Sequence, residues 1–333
     1  MAHTGKPYDL VGMGRSYIDI IAEVDYDFLE KHNIPLGTGD YHTAETIDQI
    51  VSQLNDAHYY PGGAIPNTVA GFSALGGRCA YMGKVAGDKA GTVFLQDMNA
   101  RGIDDLSNDA EKQTVASGVC VVLVTPEGER SFALHKGCVD CWTQDNFDSF
   151  DFNDAAYTLI GANLISGKDV SDLFRQAVAK IAKSSTKLVI TMSEIRDWEG
   201  NPSLANDIVK PYADIIIGNE AENASLLNLV GPLDCKDQIL VTTLGNKGAI
   251  AQRSGETVHV NAVKQERSIS SLGAGDQFLA GFVKGDAMGL SLHDSLQLAT
   301  LCAVRILERK EARPLAEEDW SDLISSVTTP ITK

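Results

Sequence analysis

The sequence predicts an α/β fold, with a mainly parallel sheet in a three-layer core and a small β-sheet lid beside it. In the C-terminal half, apolar runs alternate with amphipathic helical segments, which is typical of βαβ units. Two earlier segments, Ile20–Ala57 and Thr114–Leu134, carry turn-forming residues and short apolar runs instead. They suit a lid over the crevice beyond the carboxyl ends of the strands, where ligands of parallel sheets bind. The pattern alone does not separate such a lid from a simple edge hairpin.

The composition indicates a globular chain with a large core and an acidic surface. Its 333 residues are enough for one large domain, alone or with a small attachment, and 44% of them are hydrophobic. The 28 basic and 45 acidic residues give a formal net charge of −17. This balance argues against binding to nucleic acid or to an anionic membrane. An anionic substrate must therefore be held by a local positive feature.

Neither a targeting segment nor a zinc site is expected. The N-terminus, Met1–Asp9, lacks the apolar core of a signal peptide, and no apolar run approaches the roughly 18 residues that span a bilayer. Of the six cysteines only Cys138 and Cys141 stand close together, without a second pair or histidines at ligand spacing. We therefore interpret the thiols as reduced, in a cytoplasmic protein, with a redox role of the close pair as the alternative. The other four are Cys79, Cys120, Cys235 and Cys302.

The predicted strands and helices follow from the spacing of apolar residues. Val170, Phe174, Ala177 and Ile181 fall on one helical face between the first two buried strands. A hairpin is expected around the turn Pro126–Glu129. The predicted buried strands are Leu159–Ser166, Lys187–Thr191, Ile215–Ile217 and Ile239–Thr242, and the hairpin strands are Gly118–Thr125 and Arg130–Leu134.

A carboxylate follows two glycines at a predicted helix start, in Gly273-Ala274-Gly275-Asp276. The N–H groups of a first helical turn lack intrahelical partners, and the helix dipole makes that end attractive to phosphate. A carboxylate beside such an anion site is well placed to take a proton from a hydroxyl that attacks a phosphoryl group. Phosphoryl transfer to an alcohol is therefore the reaction that these residues indicate. The alternative is an ordinary loop in which Asp276 caps the helix.

Two earlier stretches suit a ligand rich in hydroxyl groups. Gly62 and Gly63 form a tight turn before a predicted helix over Thr68–Leu75, and the amide of Asn67 offers both a donor and an acceptor. Asp19 stands in an apolar run, where a pair of sugar hydroxyls would provide the partner that a buried carboxylate needs. The alternatives are a plain helix entry and a strand residue that faces solvent.

Two further stretches follow predicted strands and suit a nucleotide. Asn219 and Glu222 offer an amide and a carboxylate to a magnesium ion held largely through water, although an acidic helix N-terminus has the same pattern. Thr243, Gly245 and Gly248 lie in a turn that could wrap a nucleotide phosphate, and such turns are common between strands. No Walker A motif is present.

In this order, these stretches resemble the ribokinase-like (PfkB) family of carbohydrate and nucleoside kinases, from Asp9 to about Pro314. The N-terminal pattern Gly12-Met13-Gly14, with Asp19 behind it, is most similar to the adenosine kinases and their bacterial relatives. The two family signatures are Gly62-Gly63 with Asn67, Leu75-Gly76-Gly77, Gly83-Lys84-Val85, Gly87-Asp88 and Gly91, and Gly273-Ala274-Gly275-Asp276-Gln277-Phe278 with Ala280-Gly281-Phe282.

The resemblance implies a single kinase domain over residues 1–333, with a Rossmann-like αβα core and a lid formed by about 18–60 and 114–136. It implies ATP and Mg²⁺ as cofactors and transfer of the γ-phosphoryl group to the primary 5′-hydroxyl of a purine nucleoside, with adenosine as the expected acceptor. A small-molecule acceptor and ATP are the expected partners, without nucleic acid or membrane, in a monomer or a homodimer.

The resemblance also assigns roles to individual residues. The catalytic group comprises Asp276 as base and Gly273, Ala274 and Gly275 as the anion hole. The acceptor-binding residues are Asp19, Gly62, Gly63 and Asn67. The nucleotide-binding residues are Asn219, Thr243, Gly245, Gly248 and, from the lid hairpin, Arg130. Glu222, with Asn219, is expected to organise magnesium through water.

The chain departs from the family pattern at two places. Ser270 and Ser271 stand where the family usually has Asp-Thr, and that aspartate helps to hold a monovalent cation in some members, so a potassium requirement stays open. Arg15 stands where adenosine kinases commonly carry Asn, beside the expected sugar site, which makes it a candidate acceptor-binding residue. The alternatives to a nucleoside kinase are a kinase of a free sugar of the ribose or fructose type and a non-catalytic homologue that binds nucleosides or nucleotides.

Overall fold

Two sheets organise the computed structural model, which describes residues 5–107, 113–164, 168–192, 203, 205–233, 238–265 and 269–328. Within these ranges, nine strands form a large sheet in the order β14-β13-β12-β11-β10-β9-β1-β5-β6. They are β1 (Tyr8–Met13), β5 (Cys79–Met82), β6 (Asp104–Asp105), β9 (Ala155–Gly161), β10 (Lys187–Thr191), β11 (Ile215–Asn219), β12 (Ile239–Thr243), β13 (Ala249–Arg253) and β14 (Glu256–Val260). Among these neighbouring strands, β13 pairs antiparallel with β12 and β14, and all other pairs are parallel. The large sheet is therefore mainly parallel.

The small sheet has the order β3-β8-β7-β2-β4. Its strands are β2 (Tyr17–Glu23), β3 (Gly39–Tyr41), β4 (His58–Gly62), β7 (Gly118–Val124) and β8 (Arg130–His135). The helices in chain order are α1 (Tyr26–Lys31), α2 (Ala44–Val51), α3 (Ala64–Ala74), α4 (Lys89–Ala100), α5 (Gln144–Asp148), α6 (Lys168–Ile181), α7 (Lys210–Tyr212), α8 (Glu220–Val230), α9 (Ala274–Ala287), α10 (Leu292–Leu307) and α11 (Ser321–Thr328). Within the described ranges, every helix is too short or too polar to span a membrane.

The large sheet is buried on both faces, which confirms the three-layer core. Successive residues of a strand point to opposite faces, and in β11 Ile215 and Ile217 join one apolar cluster while Ile216 joins the other. The first cluster includes residues of α3, α4, α9 and α10, and the second includes residues of α5, α6 and α8. A run of three isoleucines suits this position because a parallel strand covered by helices on both faces needs no polar side.

The small sheet has one buried face and one more open face. Ile18, Ile20 and Val121 belong to the core cluster, together with residues of α1 and α2. On the other face of the same strands, Asp19, Ile21 and Cys120 are only half-buried. Asp19 and Cys120 are register partners, so their side chains share the open face.

Most of the predicted elements are present, with shifted ends. The strand Lys187–Thr191 is confirmed. Both strands of the hairpin are also confirmed, and each differs from the prediction by one residue at its C-terminal end. The strand predicted over Leu159–Ser166 was wrong at its start, because β9 already begins at Ala155, where small residues pair with β1. It ends at Gly161, and Ser166 lies outside the described residues.

Helix α3 also begins earlier than predicted. It starts at Ala64, four residues before Thr68, because Gly63 adopts a positive φ of 97° and ends the preceding strand. Pro66 is tolerated in this first turn, where the backbone N–H groups have no intrahelical partner. The earlier start places Asn67 inside the helix rather than in the loop before it.

Candidate active site

Helix α9 begins at the carboxyl-end edge of the large sheet with the glycine-rich segment. Gly273 is its N-cap, with a left-handed φ of 77°. A β-carbon at Gly273 would collide with the carbonyl oxygen of Ala312, so only glycine fits here. Asp276 lies in the first turn, next to the N–H groups of Ala274 and Gly275. The segment therefore combines an anion-attracting helix end with a carboxylate, as the sequence predicts.

Asp276 is held by an amide of helix α3. Nδ2 of Asn67 donates to Oδ2 of Asp276 at 2.9 Å, across 209 residues of sequence. Burial raises the pKa of Asp276 to about 7, whereas the Asn67 hydrogen bond and the Arg313 charge act in the opposite direction. The negative charge of Asp19 adds to the rise. A carboxyl group with a pKa near neutrality is suited to accept a proton from an alcohol.

Asp19 approaches the same site from the open face of the small sheet. It packs so closely on Gly62 that any β-carbon at that glycine would overlap its carboxylate. Burial raises the pKa of Asp19 to about 6, against the lowering effect of Arg313. A cavity of about 100 Å³ adjoins Asp19, and Tyr60, Leu272 and Arg313 are among its walls. Asp19, Gly62, Asn67 and Asp276 therefore meet, although they come from three separate segments of the chain.

Arg313 connects these residues, although it belongs to no recognisable sequence motif. Its guanidinium is buried, at 3% exposure, and donates from Nε to Oδ1 of Asn67 at 2.8 Å and from Nη2 to the carbonyl of Gly62 at 3.1 Å. Nη1 donates to Asp97 at 3.0 Å. Arg313 stands alone between Ala312 and Pro314 in a C-terminal loop, 246 residues from Asn67, so spacing rules do not point to it.

Arg15 contributes to the site through its backbone, while its side chain is engaged elsewhere. The Arg15 carbonyl oxygen lies so close to Gly63 that a β-carbon there would be only 2.5 Å from it. A glycine at position 63 therefore allows the two segments to pack closely. The guanidinium donates from Nε to Oδ1 of Asp140 at 2.8 Å and from Nη2 to Oδ2 at 3.1 Å. Asp140 stands between the close cysteines, Cys138 and Cys141, which are reduced in the structure, as predicted. Cys235 lies outside the described residues. Because the negative charge of Asp140 offsets that of the Arg15 guanidinium, an acceptor in the site would meet less positive charge than the sequence position of Arg15 suggests.

Arg130 links the small sheet to the start of α9. Its Nη2 donates to Oγ of Ser270 at 3.1 Å, and the same oxygen accepts the backbone N–H of Leu272 at 3.1 Å. Ser270 is buried. Because Arg130 shares the open face of the small sheet with Phe132, this contact shows that the open face looks toward the glycine-rich segment.

Asn219 and Glu222 form a capping box at the start of α8. Oδ1 of Asn219 accepts the N–H of Glu222 at 2.9 Å, and Oε2 of Glu222 accepts the N–H of Asn219 at 2.8 Å. This is the structural alternative that the sequence left open, and it commits one oxygen of each side chain. Burial raises the pKa of Glu222, which the hydrogen bond from Asn219 partly offsets. In the described part of the chain, no three acidic, histidine or cysteine side chains form a metal-binding group.

The residues predicted to bind the nucleotide lie farther along the same edge. Thr243 ends β12 and is the register partner of Asn219, so the two follow neighbouring parallel strands. Gly245 and Gly248 adopt positive φ angles of 59° and 99° in the turn before β13. At Gly248 a β-carbon would overlap the carbonyl of Val260. Strand β11 lies three strands from β1, about 14 Å at the usual strand spacing, so these residues are separate from the Asp276 group.

Comparison with known proteins gives one family and two kinds of relative. The sequence pattern described as "pfkB family carbohydrate kinase" matches residues 40–319. Adenosine kinase 2 of Arabidopsis thaliana is 25% identical over 334 residues, which cover 90% of this chain and 94% of that protein. The 5-dehydro-2-deoxygluconokinase of Bacillus subtilis (strain 168) is 23% identical over 331 residues, which cover 94% of this chain and 95% of the relative.

Solved structures share the fold over almost the whole chain. A probable sugar kinase from Rhizobium etli CFN 42 superposes with a TM-score of 0.83 at 24% identity, over 97% of this chain and 99% of the other. The adenosine kinase from Sinorhizobium meliloti superposes with a TM-score of 0.78 at 27% identity, over 93% of this chain and 96% of the other. The large mainly parallel sheet with a second, smaller sheet is therefore the architecture of these kinases.

Proposed function

Because the chain belongs to the pfkB family of carbohydrate kinases, we propose that it transfers the γ-phosphoryl group of ATP to the primary 5′-hydroxyl of a purine nucleoside, with adenosine as acceptor. The family consists of phosphotransferases with alcohol acceptors, and the chain is a kinase of the adenosine-kinase or sugar-kinase type. The observation that carries the proposal is Asp276, a carboxylate with a pKa near 7 in the first turn of α9.

In the proposed reaction, Asp276 acts as the base. It takes the proton of the acceptor hydroxyl as that oxygen attacks the γ-phosphorus, while the bond between that phosphorus and the β,γ-bridging oxygen breaks and ADP leaves. The N–H groups of Gly273, Ala274 and Gly275 would stabilise the negative charge on the transferred group, aided by the helix dipole. Positioning and charge stabilisation account for most of the catalysis of phosphoryl transfer, so no covalent intermediate is required.

The acceptor would lie between the small sheet and α3. Asp19 would accept hydrogen bonds from two sugar hydroxyls, and Asn67 offers its amide beside the base. The close contacts at Gly62 and Gly63 support this arrangement, because a side chain at either position would displace Asp19 or Arg15. We assign Arg15 to this group as well, through its backbone and its ion pair with Asp140.

ATP would lie along the edge toward β11 and β12, with Thr243, Gly245 and Gly248 at its phosphates or base. Arg130 would turn from Ser270 toward the transferred group. The donors at Asn219 and Glu222 fit a magnesium ion bound through water rather than directly, because the capping box already occupies Oδ1 and Oε2. When bound, magnesium would neutralise phosphate charge.

A nucleoside is favoured over a free sugar by the open face of the small sheet. A free sugar needs a small polar pocket, whereas a nucleoside needs an apolar surface for its base. Cys120 lies beside Asp19 in register, and Leu134 lies beside Cys120 on the same face. The next row on that face pairs Ile21 with Val122 and Val122 with Phe132. The carboxylate that would bind the sugar is thus bordered by apolar side chains, which supports a nucleoside.

A kinase of a free sugar is the second candidate. The observation that favours it is the likeness to 5-dehydro-2-deoxygluconokinases, which reach 25% identity over 341 residues for the protein of Listeria monocytogenes serotype 4a (strain HCC23). The identity to the adenosine kinase of Arabidopsis thaliana is the same, 25%, so these two values do not separate the candidates.

Release of ADP in the presence of a panel of purine nucleosides and sugars would test the proposal. We expect turnover with adenosine at a kcat/KM at least tenfold above that with ribose, fructose or a deoxyhexonate. Turnover with the sugars and none with purine nucleosides would reject the nucleoside proposal in favour of the second candidate. Omitting potassium in the same assay would establish whether Ser270 removes the cation requirement.

A further inference from the structure

Arg313 lies in the loop between α10 and α11 and contacts the candidate acceptor site through Asn67, on the side of that amide opposite to Asp276. This loop packs directly against the start of α9, since Nε2 of Gln277 donates to the carbonyl oxygens of both Asn67 and Ala312 at 3.0 Å. The guanidinium of Arg313 therefore sits on the far side of Asn67 from Asp276. It is almost completely buried and so does not face bulk solvent.

The contact with Arg313 determines which way the amide of Asn67 points. A guanidinium can only donate hydrogen bonds, so Arg313 requires the oxygen of Asn67 on its side. The NH₂ group then faces Asp276, where it donates to the carboxylate at 2.9 Å. A flipped amide would place two donors against each other at Arg313 and two acceptors against each other at Asp276.

Arg313 lies among three carboxylates, one that it shares with Arg101 and two that belong to the candidate site. Asp97 lies on one side of it, and Arg101 binds the same carboxylate with two hydrogen bonds, at 2.9 and 2.8 Å. On the other side are the carboxylates of Asp19 and Asp276, and the positive charge of Arg313 lowers the pKa of both. Two guanidinium groups thus face three carboxylates, and Arg313 is the cation that both site carboxylates share.

We propose that Arg313 is the positioning residue of the acceptor site: it holds the amide of Asn67 with its NH₂ toward Asp276 and keeps Asp19 and Asp276 available as anions. This inference rests on the proposed function, because it concerns the same carboxylates. Arg313 touches neither the acceptor nor the nucleotide in this role and acts through Asn67 and through its charge.

The test uses Arg313→Met, Arg313→Lys and the control Arg309→Met. Arg309 lies four residues earlier in the same segment but pairs with Glu318, away from the site. Carboxyl ¹³C signals of aspartate are titrated in the unliganded proteins and assigned with Asp276→Asn and Asp19→Asn. The pH dependence of kcat/KM is measured on the best acceptor of the panel.

We expect Arg313→Met to raise the titration midpoint of Asp276 by about 1 pH unit, because the charge that it removes lowers the pKa of this carboxyl group. The acid limb of kcat/KM should move by the same amount. Arg313→Lys keeps the charge but not the planar fork, so its midpoint should stay near the wild-type value while kcat/KM falls about tenfold at all pH values. Arg309→Met should change neither readout.

Unchanged midpoints in Arg313→Met, with an equal loss of kcat/KM at every pH, would overturn the proposal and leave a purely structural role. If Arg313→Met does not fold, Arg313→Lys decides, because wild-type kcat/KM in that variant would contradict the positioning of the amide. The carboxyl titration needs no substrate. A shifted midpoint without turnover of any nucleoside would therefore reject the proposed function alone.

Discussion

The two ends of helix α9 carry the same kind of residue in opposite circumstances. Asp276 in the first turn receives a hydrogen bond from a neutral amide, that of Asn67. Asp286 in the last turn accepts the hydroxyl of Tyr157 at 2.6 Å and the ammonium group of Lys187 at 2.8 Å. The helix dipole favours an anion at the first position and disfavours one at the second. The ammonium group of Lys187 therefore compensates the unfavourable end, while the partner of Asp276 at the favourable end is a neutral amide.

A structural carboxylate and a reactive one differ in how directly a cation compensates their charge. At Asp286, a lysine in direct contact supplies the charge that the carboxylate needs, and burial with Asp286 raises the pKa of Tyr157. At Asp276, the charge of Arg313 acts from behind Asn67, whose amide lies between the two side chains. Burial then outweighs the Asn67 hydrogen bond and the Arg313 charge and raises the pKa of Asp276 to about 7. A carboxyl group with a pKa near neutrality is suited to accept a proton from an alcohol.

The largest effect is expected from Asp276→Asn. Without the base, turnover should fall about 10²–10⁴-fold, the usual contribution of general-base catalysis. Binding of ATP should remain within about twofold in calorimetry, because no nucleotide contact is assigned to Asp276. Turnover within a factor of three of wild type would remove Asp276 as the base.

The pH dependence of wild-type kcat/KM should follow the Asp276 carboxyl. The base works only when ionised, so with a pKa of about 7 the rate falls about tenfold per pH unit below that value. From pH 8 to pH 5 we expect a loss of about 100-fold, measured by ADP release with a pH-independent coupling system. A rate that stays constant down to pH 5 would show that no group near pH 7 limits the reaction.

At the other end of the helix, Asp286→Ala should reduce stability rather than activity. It leaves the buried hydroxyl of Tyr157 without its acceptor, which costs about 1–3 kcal/mol of unfolding free energy. Urea denaturation measures the loss, and kcat should stay within about twofold. A tenfold drop in kcat at unchanged stability would instead connect Asp286 to the site.

Asp276→Asn should stabilise the fold by about 1 kcal/mol or more above pH 7. The folded pKa of Asp276 lies above the ordinary value of 3.8, so the folded state binds more protons between these values and loses stability as pH rises through them. Asparagine removes that loss, and the gain should vanish below about pH 4. Thermal denaturation at pH 8 and pH 4 compares the two proteins, and a lower Tm at pH 8 would contradict the expected sign.

Much of the fold was predictable because local patterns determine it. Apolar runs such as Ile215–Ile217 predict buried strands, and glycines indicate the turns between them. The candidate site was predictable where motifs carry it, since the structure brings the motif residues Asp276 and Asn67 into contact, and their roles stay predictions. The partners of Arg15 and Asn67 were not, because Asp140 and Arg313 lie 125 and 246 residues away and only the fold brings them together.

The contrast between the two ends of α9 is tested most directly by transfer of label from γ-³²P-ATP to adenosine at pH 8, with Asp276→Asn and Asp286→Asn measured side by side. Both substitutions keep the size of the side chain and remove one negative charge. The structure predicts labelled nucleotide at close to the wild-type rate for Asp286→Asn and at least about 100-fold less for Asp276→Asn. Equal rates in the two variants would contradict the assignment of the reactive end of the helix.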